Sequence, residues 1–353
     1  MYDIAVIGLG PAGAFLVKGL NPNFSVIVLD KKRKKGNEGF HKPCGGLLAP
    51  DAQKALSRFH MTLPKDVLVS PQIFSVRTVD IKSGLMRYYQ RHYINLDRHK
   101  FDQWLMNQLP ERTQVHTDTV CTKIVREGSG YRITYRENGQ SYTIAARQLV
   151  GADGAMSLVR RTLFGSFAIH QYLSIQQWFA DKHETPFYSC VFDPQVTDSY
   201  AWGLSKDGYF VFGGAFAIKT GKKDFEALKE KLRAYDFRLE NPVKTEACLV
   251  LRPKGLNNYC CGADNAFLVG EAAGFISPSS LEGISYAIES GHLLAQCLNR
   301  GGDVNQSYRR ATRKIRLALF LKNCKRPFMY QPFLRKQVMK SGFSAITMHS
   351  GGK

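Results

Sequence analysis

The fold is decided by residues 1–30, MYDIAVIGLGPAGAFLVKGLNPNFSVIVLD. Ile4–Ile7 is a short apolar run with β-branched residues, which is typical of a buried parallel strand. A glycine-rich turn follows, after which Ala14–Leu20 predicts a helix and Ser25–Leu29 predicts a second buried strand that ends at Asp30. This order of elements is that of a βαβ unit in a doubly wound sheet.

The turn Gly8-Leu-Gly10-Pro11-Ala12-Gly13 has the spacing GxGxxG, and each glycine has a separate task. Gly8 permits a sharp turn, Gly10 lets the backbone approach a pyrophosphate, and Gly13 lets the helix pack closely on the strand. Free N–H groups at the helix N-terminus then bind the phosphates, and Asp30 lies where a carboxylate binds ribose hydroxyls. A dinucleotide site is therefore predicted. The alternative is a glycine turn that binds nothing.

The composition is that of a globular protein with a strong positive charge. The 353 residues predict one large domain or two interleaved domains, and the formal net charge is +20. No apolar run reaches the ~20 residues that a membrane span needs, and no signal peptide is expected. The eight cysteines lack CxxC spacing, which argues against a zinc site or a disulfide framework and indicates a reducing compartment, so a cytoplasmic location is expected. The charge is typical of proteins that bind nucleic acid, an anionic membrane surface or an acidic or phosphorylated substrate.

Two segments after Asp30 each have two interpretations. The run from Lys31 to Lys35 is either a solvated loop or a patch that attracts the phosphates of a nicotinamide cofactor or a substrate. In the stretch from His41 to Gly46, one proline and two glycines predict an irregular backbone close to another group. Cys44, within that stretch, is either an inert thiol or a functional group.

The middle of the chain predicts a second sheet. Val67–Tyr93 and Phe167–Val250 are rich in β-branched and aromatic residues, and Thr113–Arg147 predicts a strand meander. Asp97 is a suitable N-cap for a helix that carries Arg98 in its first turn. A cation there opposes the helix dipole, which suggests an external phosphate as its partner, although a surface arginine is the alternative.

Two further glycine turns precede helices. The first is Gly151-Ala-Asp153-Gly154, and the second is Gly270-Glu271-Ala272-Ala-Gly274. A polar loop with Pro278 and Gly283 follows the second turn, and Ile284–Cys297 predicts a helix. Three glycine turns around one extended ligand exceed the needs of a transient dinucleotide.

The predicted fold class is α/β, with a Rossmann-like nucleotide-binding domain, an inserted, mostly antiparallel substrate domain and a basic helical C-terminal region. The nucleotide-binding domain is expected at 1–66, 95–166 and 255–300, the substrate domain at 67–94 and 167–254, and the C-terminal region at 301–353. Asn305–Lys353 alternates basic with apolar residues, which is typical of an amphipathic helix on an anionic membrane, of a cap over an apolar channel, or of a helix with a solvated basic face. Nucleic acid is not favoured, because no recognition module is visible.

The three glycine turns, in this order and spacing, resemble those of FAD-dependent oxidoreductases with the p-hydroxybenzoate hydroxylase fold. Pro43–Leu47, Arg98 with Phe101-Asp102, and the loop from Pro278 to Ile284 resemble the geranylgeranyl reductase family, whose members reduce isoprenoid double bonds with reduced flavin. The resemblance spans roughly residues 1–300. Two departures are Glu271, where the family has Asp, and Asp30, where the family often has Glu.

The resemblance implies a role for each matched residue. The first turn and Asp30 would hold the pyrophosphate and ribose of FAD, with Lys31 beside them. The remaining expected cofactor contacts are Cys44, Gly45, Gly46, Arg98, Asp153, Gly154, Gly270, Glu271, Ala272, Gly274, Gly283 and Ile284. Cys44 would face the substrate side of the flavin and is the candidate catalytic proton donor or positioning group, with His41 and His92 as other candidate acids.

The resemblance implies an FAD-dependent reductase of an isoprenoid or lipid-like substrate, with NAD(P)H as a transient electron donor and no metal. The runner-up is a flavin monooxygenase that acts on an aromatic or apolar small molecule. A flavin halogenase is less favoured, because the WxWxIP element is missing and Trp202 stands alone. A non-catalytic FAD-binding or membrane-associated regulatory protein is the alternative from another class.

Overall fold

The computed structural model describes residues 1–33, 43–165, 169–181 and 185–348. The elements in chain order are β1 (Tyr2–Ile7), α1 (Pro11–Gly19), β2 (Val26–Leu29), β3 (Leu47–Leu48), α2 (Pro50–Arg58), β4 (Ile73–Asp80), β5 (Leu85–Asn95), α3 (Arg98–Met106), β6 (Gln114–His116), β7 (Thr119–Glu127), β8 (Gly130–Glu137), β9 (Gln140–Gly151), α4 (Leu158–Leu163), β10 (His170–Ala180), β11 (Phe187–Phe192), β12 (Ala201–Lys206), β13 (Tyr209–Phe216), α5 (Gly221–Leu232), β14 (Lys244–Arg252), β15 (Gly262–Ala263), β16 (Ala266–Leu268), α6 (Ile284–Arg300), α7 (Val304–Ala311), α8 (Arg313–Tyr330), α9 (Pro332–Ser341) and β17 (Ala345–Ile346).

The first sheet has the order β15-β16-β9-β1-β2-β6, and its strands from β16 to β6 run parallel. Strands β7 and β8 extend it as an antiparallel meander from β9. Ile7 is in register with both Leu29 and Gly151. Because these strands are parallel and end together, the first glycine turn, Asp30 and the second glycine turn meet at one edge of the sheet.

The second sheet has the order β14-β10-β13-β12-β11-β4-β5-β17, with β3 paired to β5. Neighbouring strands in this sheet run antiparallel, except for β11 and β4, which run parallel. The predicted α/β class with an inserted, mostly antiparallel sheet is therefore confirmed. The individual domain boundaries stay predictions.

The helix cap predicted from the sequence agrees with the structure, and the predicted start of the first helix needs a correction. Helix α1 begins at Pro11 rather than Ala14, because proline has a fixed φ and lacks an N–H, which suits the first helical position. The side chain of Asp97 accepts hydrogen bonds from the N–H groups of His99 and Lys100, so the predicted N-cap of α3 is confirmed. Asn138 and Gly139 both have positive φ and form the hairpin turn between β8 and β9, within the predicted strand meander.

Helix α6 packs against α1 and supports the first glycine turn from behind. A Cβ on Gly291 would collide with the carbonyl oxygen of Ala12, so the two helices approach at backbone contact. The C-terminal region folds as α7, α8 and α9, and β17 then adds to the edge of β5. Ser350–Lys353, like Lys34–Lys42, lies outside the described residues.

Candidate functional site

A cavity of about 490 Å³ lies where the carboxyl edge of the first sheet faces the second sheet. All three glycine turns contribute to its walls, together with the stretch from Pro43 to Leu47. Most of the residues predicted to contact the cofactor line it. Those that line it are Gly8, Gly10, Pro11, Ala12, Asp30, Lys31, Cys44, Gly45, Gly46, Arg98, Asp153, Gly154, Glu271, Gly283 and Ile284.

The other four predicted residues, Gly13, Gly270, Ala272 and Gly274, do not line the cavity. A Cβ on Gly13 would collide with the carbonyl oxygen of Gly8, so Gly13 permits the close packing of helix on strand that its spacing predicts. Gly270 donates its N–H to Ser290 Oγ at 2.9 Å, and Ala272 is fully buried. A Cβ on Gly274 would lie 2.5 Å from the carbonyl oxygen of Asn258. The structure gives these positions packing roles.

Gly10 differs from its neighbours in the first turn. Gly8 has φ +100° and a Cβ there would lie 2.5 Å from the carbonyl oxygen of Ala152, whereas a Cβ on Gly10 would meet no atom within 4 Å of the described residues. The backbone of Gly10 is extended, with φ −80°, a conformation open to any residue. The space beside Gly10 is therefore part of the cavity, and glycine there is not required by the protein's own packing.

The N-terminus of α1 has the features of an anion-binding site. Within the described part of the chain, no side chain caps it, and no acidic residue lies in its first turn. The N–H groups of Ala12 and Gly13 therefore have no intrahelical or side-chain acceptor, and the positive end of the helix dipole faces the cavity.

Asp30 is buried and partly satisfied by the backbone. One carboxylate oxygen accepts the N–H of Leu9, and the other accepts the N–H of Lys32 at 2.6 Å. A carboxylate has further lone pairs, so Asp30 can still accept a hydroxyl from the cavity.

A buried charge network joins three segments beside the turn. The Asp102 carboxylate binds Lys32 Nζ at 3.0 Å and Arg98 Nε at 2.9 Å, and Arg98 Nη1 lies 3.6 Å from Cys44 Sγ. The three charged side chains are only 7–15% exposed. The alternative of a surface arginine is therefore wrong, and the partner of Arg98 is an internal carboxylate four residues along α3 rather than an external phosphate alone.

We expect Asp102→Asn to lower the free energy of unfolding by about 2 kcal/mol, because two buried cations lose their shared counter-charge. Urea unfolding at neutral pH measures this change. A matched control is Glu127→Gln, which breaks the exposed pair with Arg132 and should cost less than about 1 kcal/mol. Equal effects of the two substitutions would contradict the network's role.

The same effect depends on pH. Burial opposes ionisation of Asp102, but the charges of Arg98 and Lys32 outweigh burial and lower the pKa of Asp102 below its usual value. This pairing therefore stabilises the fold above the unfolded-state pKa, and its contribution is lost as the pH falls through the folded-state pKa. The difference between wild type and Asp102→Asn should shrink in acid.

Cys44 lines the cavity in a turn that packs against the buried side chain of Lys206. Gly46 has φ +68°, and a Cβ there would lie 2.5 Å from Lys206 Nζ. Lys206 donates to the carbonyl oxygen of Leu96 at 2.6 Å, and burial lowers its pKa to about 8. The irregular backbone predicted for this stretch is thus confirmed at Gly46, whereas His41 and Lys42 lie outside the described residues and the catalytic role of Cys44 stays a prediction.

The second and third turns bring carboxylates into the cavity. Asp153 Oδ2 accepts the N–H of Leu158 at 2.7 Å, and burial raises the pKa of Asp153. Glu271 accepts the N–H of Leu251 at 3.0 Å, which joins the third turn to β14 of the second sheet. Glutamate in place of the family's aspartate therefore has a structural contact in this chain.

Glu282 is a cavity residue that the sequence analysis missed. It precedes Gly283 and follows Leu281, which has φ +55°, so a strained loop carries it into the cavity wall. Ser280 Oγ donates to its carboxyl group at 2.8 Å, and Tyr93 OH donates at 3.4 Å. Burial raises the pKa of Glu282, although Ser280 and the charges of Lys322 and Arg91 oppose that rise. The sequence feature that could have identified Glu282 is its position directly before Gly283, a predicted cofactor contact.

The end of the cavity toward the second sheet is aromatic. Tyr188, Tyr200 and Trp202 line it, and Trp202 Nε1 is buried without a hydrogen-bond partner among the described residues. A buried N–H donor without a partner indicates a ligand acceptor or water at this position. Trp202 stands beside Gly45, whose Cβ would lie 3.7 Å from Nε1.

Of the two histidines predicted as candidate acids, the structure describes only His92. His92 is exposed and does not line the cavity, because it lies on an outward position of β5. It is therefore not a proton donor to this cavity. His41 lies outside the described residues.

These observations fit FAD. The open helix N-terminus and the free space beside Gly10 suit a pyrophosphate, and Asp30 suits a ribose. The residues that would hold the group are those of the three turns that line the cavity, with Lys31, Lys32 and Arg98 as nearby cations.

Comparisons with known proteins agree on the fold. Residues 66–211 match a family model described as an FAD binding domain. A geranylgeranyl bacteriochlorophyll reductase-like protein from Thermoplasma acidophilum has a TM-score of 0.76 and 17% identity over 99% of this chain and 93% of its own. The flavin-dependent brominase Bmp2 (a triple mutant) has a TM-score of 0.71 and 17% identity over 97% and 94%. PqsL, a probable FAD-dependent monooxygenase from Pseudomonas aeruginosa, has a TM-score of 0.69 and 14% identity over 97% and 99%.

The fold of this chain is the one that these flavin-dependent proteins share. Protein CbrA of Escherichia coli O6:H1 is 53% identical over 98% of this chain and 94% of its own length. Protein CbrA of Shigella sonnei is 52% identical over 98% of both chains. The chain belongs to the CbrA family. None of the helices in the described ranges combines the length and apolar content that a membrane crossing needs.

Proposed function

We propose that this protein binds FAD in the cavity and uses the reduced flavin to reduce C=C bonds of an isoprenoid or other lipid-like substrate. The observation that carries the proposal is the division of the cavity. One part of its wall offers the N-terminus of α1 and Asp30, and another part offers aromatic side chains together with the carboxyl group of Glu282. A flat, apolar substrate fits such a wall.

A geranylgeranyl bacteriochlorophyll reductase-like protein shares this fold, which supports a reductase, although a brominase and a probable monooxygenase share the fold as well. FAD held by the three turns and reduced by NAD(P)H or another donor would supply a hydride to one carbon of a double bond. The other carbon then needs a proton. A reductase site of this kind therefore requires a proton donor.

We assign that proton to the carboxyl group of Glu282. Tyr93 and Ser280 orient the group, and burial favours its protonated form. Tyr188, Tyr200 and Trp202 would exclude water from the double bond and hold the substrate against the flavin. Cys44, on the same cavity wall, remains a candidate positioning group.

The test is an anaerobic reduction of the purified protein, followed at flavin wavelengths. Excess NADPH or dithionite reduces the flavin, and a panel of prenyl lipids is then added without oxygen. We expect one prenyl lipid to reoxidise the flavin and to gain two hydrogens by mass spectrometry. Reoxidation only after oxygen is admitted, with an oxygenated product, would identify a monooxygenase. NADPH consumption with no lipid product would favour a regulatory protein, and a colourless protein would contradict flavin binding.

A further inference from the structure

Helix α8 has an inner face and an outer face of different character. The inner face is buried through Ile315 and Leu319. The outer face carries apolar residues that recur every three or four positions and therefore form one stripe along the helix. The stripe consists of Leu317, Phe320, Leu321, Cys324 and Phe328, of which Leu317, Leu321 and Phe328 are each more than half exposed.

Two more large apolar side chains are exposed in the segment that follows α8. Phe333 at the start of α9 is 69% exposed, and Phe343, just after α9, is 81% exposed. Large apolar side chains grouped along one helix face, as on α8, indicate an interaction site, whereas single exposed apolar residues need no explanation. We call Leu317, Phe320, Leu321, Phe328, Phe333 and Phe343 the outer apolar surface.

This surface is surrounded by positive charge. Residues 304–353 contain twelve Lys and Arg residues and no Asp or Glu. Arg313, Lys314 and Lys325 are exposed beside the stripe on α8. Protein–protein interfaces are depleted in lysine, and nucleic-acid binding does not require projecting aliphatic side chains. Apolar side chains flanked by cations are what an anionic bilayer binds.

The helices that carry this surface are fixed to the body of the protein. Tyr308 OH on α7 donates to the carbonyl oxygen of Leu268 at 3.0 Å, and Tyr330 OH on α8 donates to that of Ser279 at 2.5 Å. On α9, the buried Arg335 pairs with the buried Asp80 at 2.8 Å. Because these contacts fix the helices, the outer apolar residues stay exposed and do not belong to a core that is still to be packed.

The same helix reaches the cavity from its inner side. Lys322 lines the cavity and binds Asp51 Oδ2 at 3.0 Å. We propose that the outer apolar surface and its cations rest on an anionic membrane, so that α8 lies between the lipid and the cavity. The proposal doesn't depend on the reaction that the cavity performs.

The test is sedimentation of the full-length protein with vesicles. We expect it to pellet with vesicles of phosphatidylglycerol and phosphatidylcholine, to remain in solution with phosphatidylcholine alone, and to be released by high salt. A deletion of Asn305–Lys353 would also remove the buried Tyr308, Ile315 and Leu319, so point substitutions are the sharper probe.

Two independent variants separate charge from apolar contact. Reversing three cations together (Arg313→Glu, Lys314→Glu and Lys325→Glu) should weaken binding about 100-fold or more, since each lost cation weakens it about fivefold. The pair Phe320→Ser and Phe328→Ser should reduce binding at every salt concentration. Circular dichroism checks the fold of each variant.

Matched controls change equivalent residues elsewhere. Lys219, Lys222 and Lys223 are exposed near α5, and their reversal to glutamate should leave binding within about tenfold of wild type. Phe74 and Val243 are 60% and 59% exposed, and their change to serine should have no effect. No binding to anionic vesicles, or equal losses in test and control variants, would overturn the proposal.

Discussion

Glu282→Gln is expected to slow substrate reduction by about 10²–10⁴-fold, the range over which a positioned acid contributes to proton transfer. Glutamine keeps the shape of the side chain: its carbonyl oxygen can accept from Ser280, and its NH2 group can donate to the hydroxyl oxygen of Tyr93, so the loop should keep its conformation. It can't release a proton to carbon. Reduction of the flavin itself needs no such proton donor, so it should proceed at the wild-type rate.

The pH profile gives a readout that a merely structural role would not change. Burial raises the pKa of Glu282, with Asp51 adding to the rise and Ser280, Lys322 and Arg91 opposing it. The acid form therefore persists above the usual glutamate range, and the rate of substrate reduction should fall as the pH rises through the raised pKa. In Glu282→Gln this alkaline fall should disappear from the residual rate.

Asp51→Asn is the matched control. Asp51 also lines the cavity, but its side chain is 64% exposed and is ion-paired to Lys322. Its loss should change the rate much less than the loss of Glu282. Single-turnover oxidation of the pre-reduced flavin by substrate measures both variants. A Glu282→Gln enzyme with a wild-type rate and pH profile would exclude this proton donor.

The parts of the site predicted from the sequence are those that depend on local spacing. Gly8, Gly13 and Asp30 have their roles because a strand, a turn and a helix follow each other within thirty residues, and the structure reproduces that unit. The second and third turns could be placed beside it because parallel strands end at one edge of a sheet. In these cases the residue types and their short spacing in the sequence are enough to predict the role.

The parts that were missed depend on burial and on contacts between distant segments. Lys32 lies in a basic run that is typical of a solvated loop, yet it is buried because Asp102, seventy positions later, accepts from it. Trp202 lies on β12 and Glu282 lies in the loop before α6, and both line the cavity. Neither residue belongs to a sequence motif that would mark it. Burial also gives Glu282 its raised pKa, and burial can't be read from residue type.

Gly10→Val is expected to weaken FAD binding at least about 100-fold while leaving the apoprotein as stable as wild type. Three added carbon atoms would fill space that the protein itself leaves open, since a Cβ at Gly10 meets no atom within 4 Å of the described residues. Overpacking of an occupied site costs roughly 1–3 kcal/mol for modest additions, and each 1.4 kcal/mol is tenfold in affinity. Fluorescence titration of apoprotein with FAD measures the affinity, and thermal unfolding without FAD measures the stability.

Gly13→Ala supplies the contrast that makes this result specific. Its Cβ would collide with the carbonyl oxygen of Gly8, so this smaller change should lower the stability of the apoprotein itself. Gly10→Ala should fall between wild type and Gly10→Val, with about tenfold weaker binding. If Gly10→Val instead bound FAD with wild-type affinity, the pyrophosphate would not lie beside Gly10, because a ligand in contact with that backbone leaves no room for the added side chain.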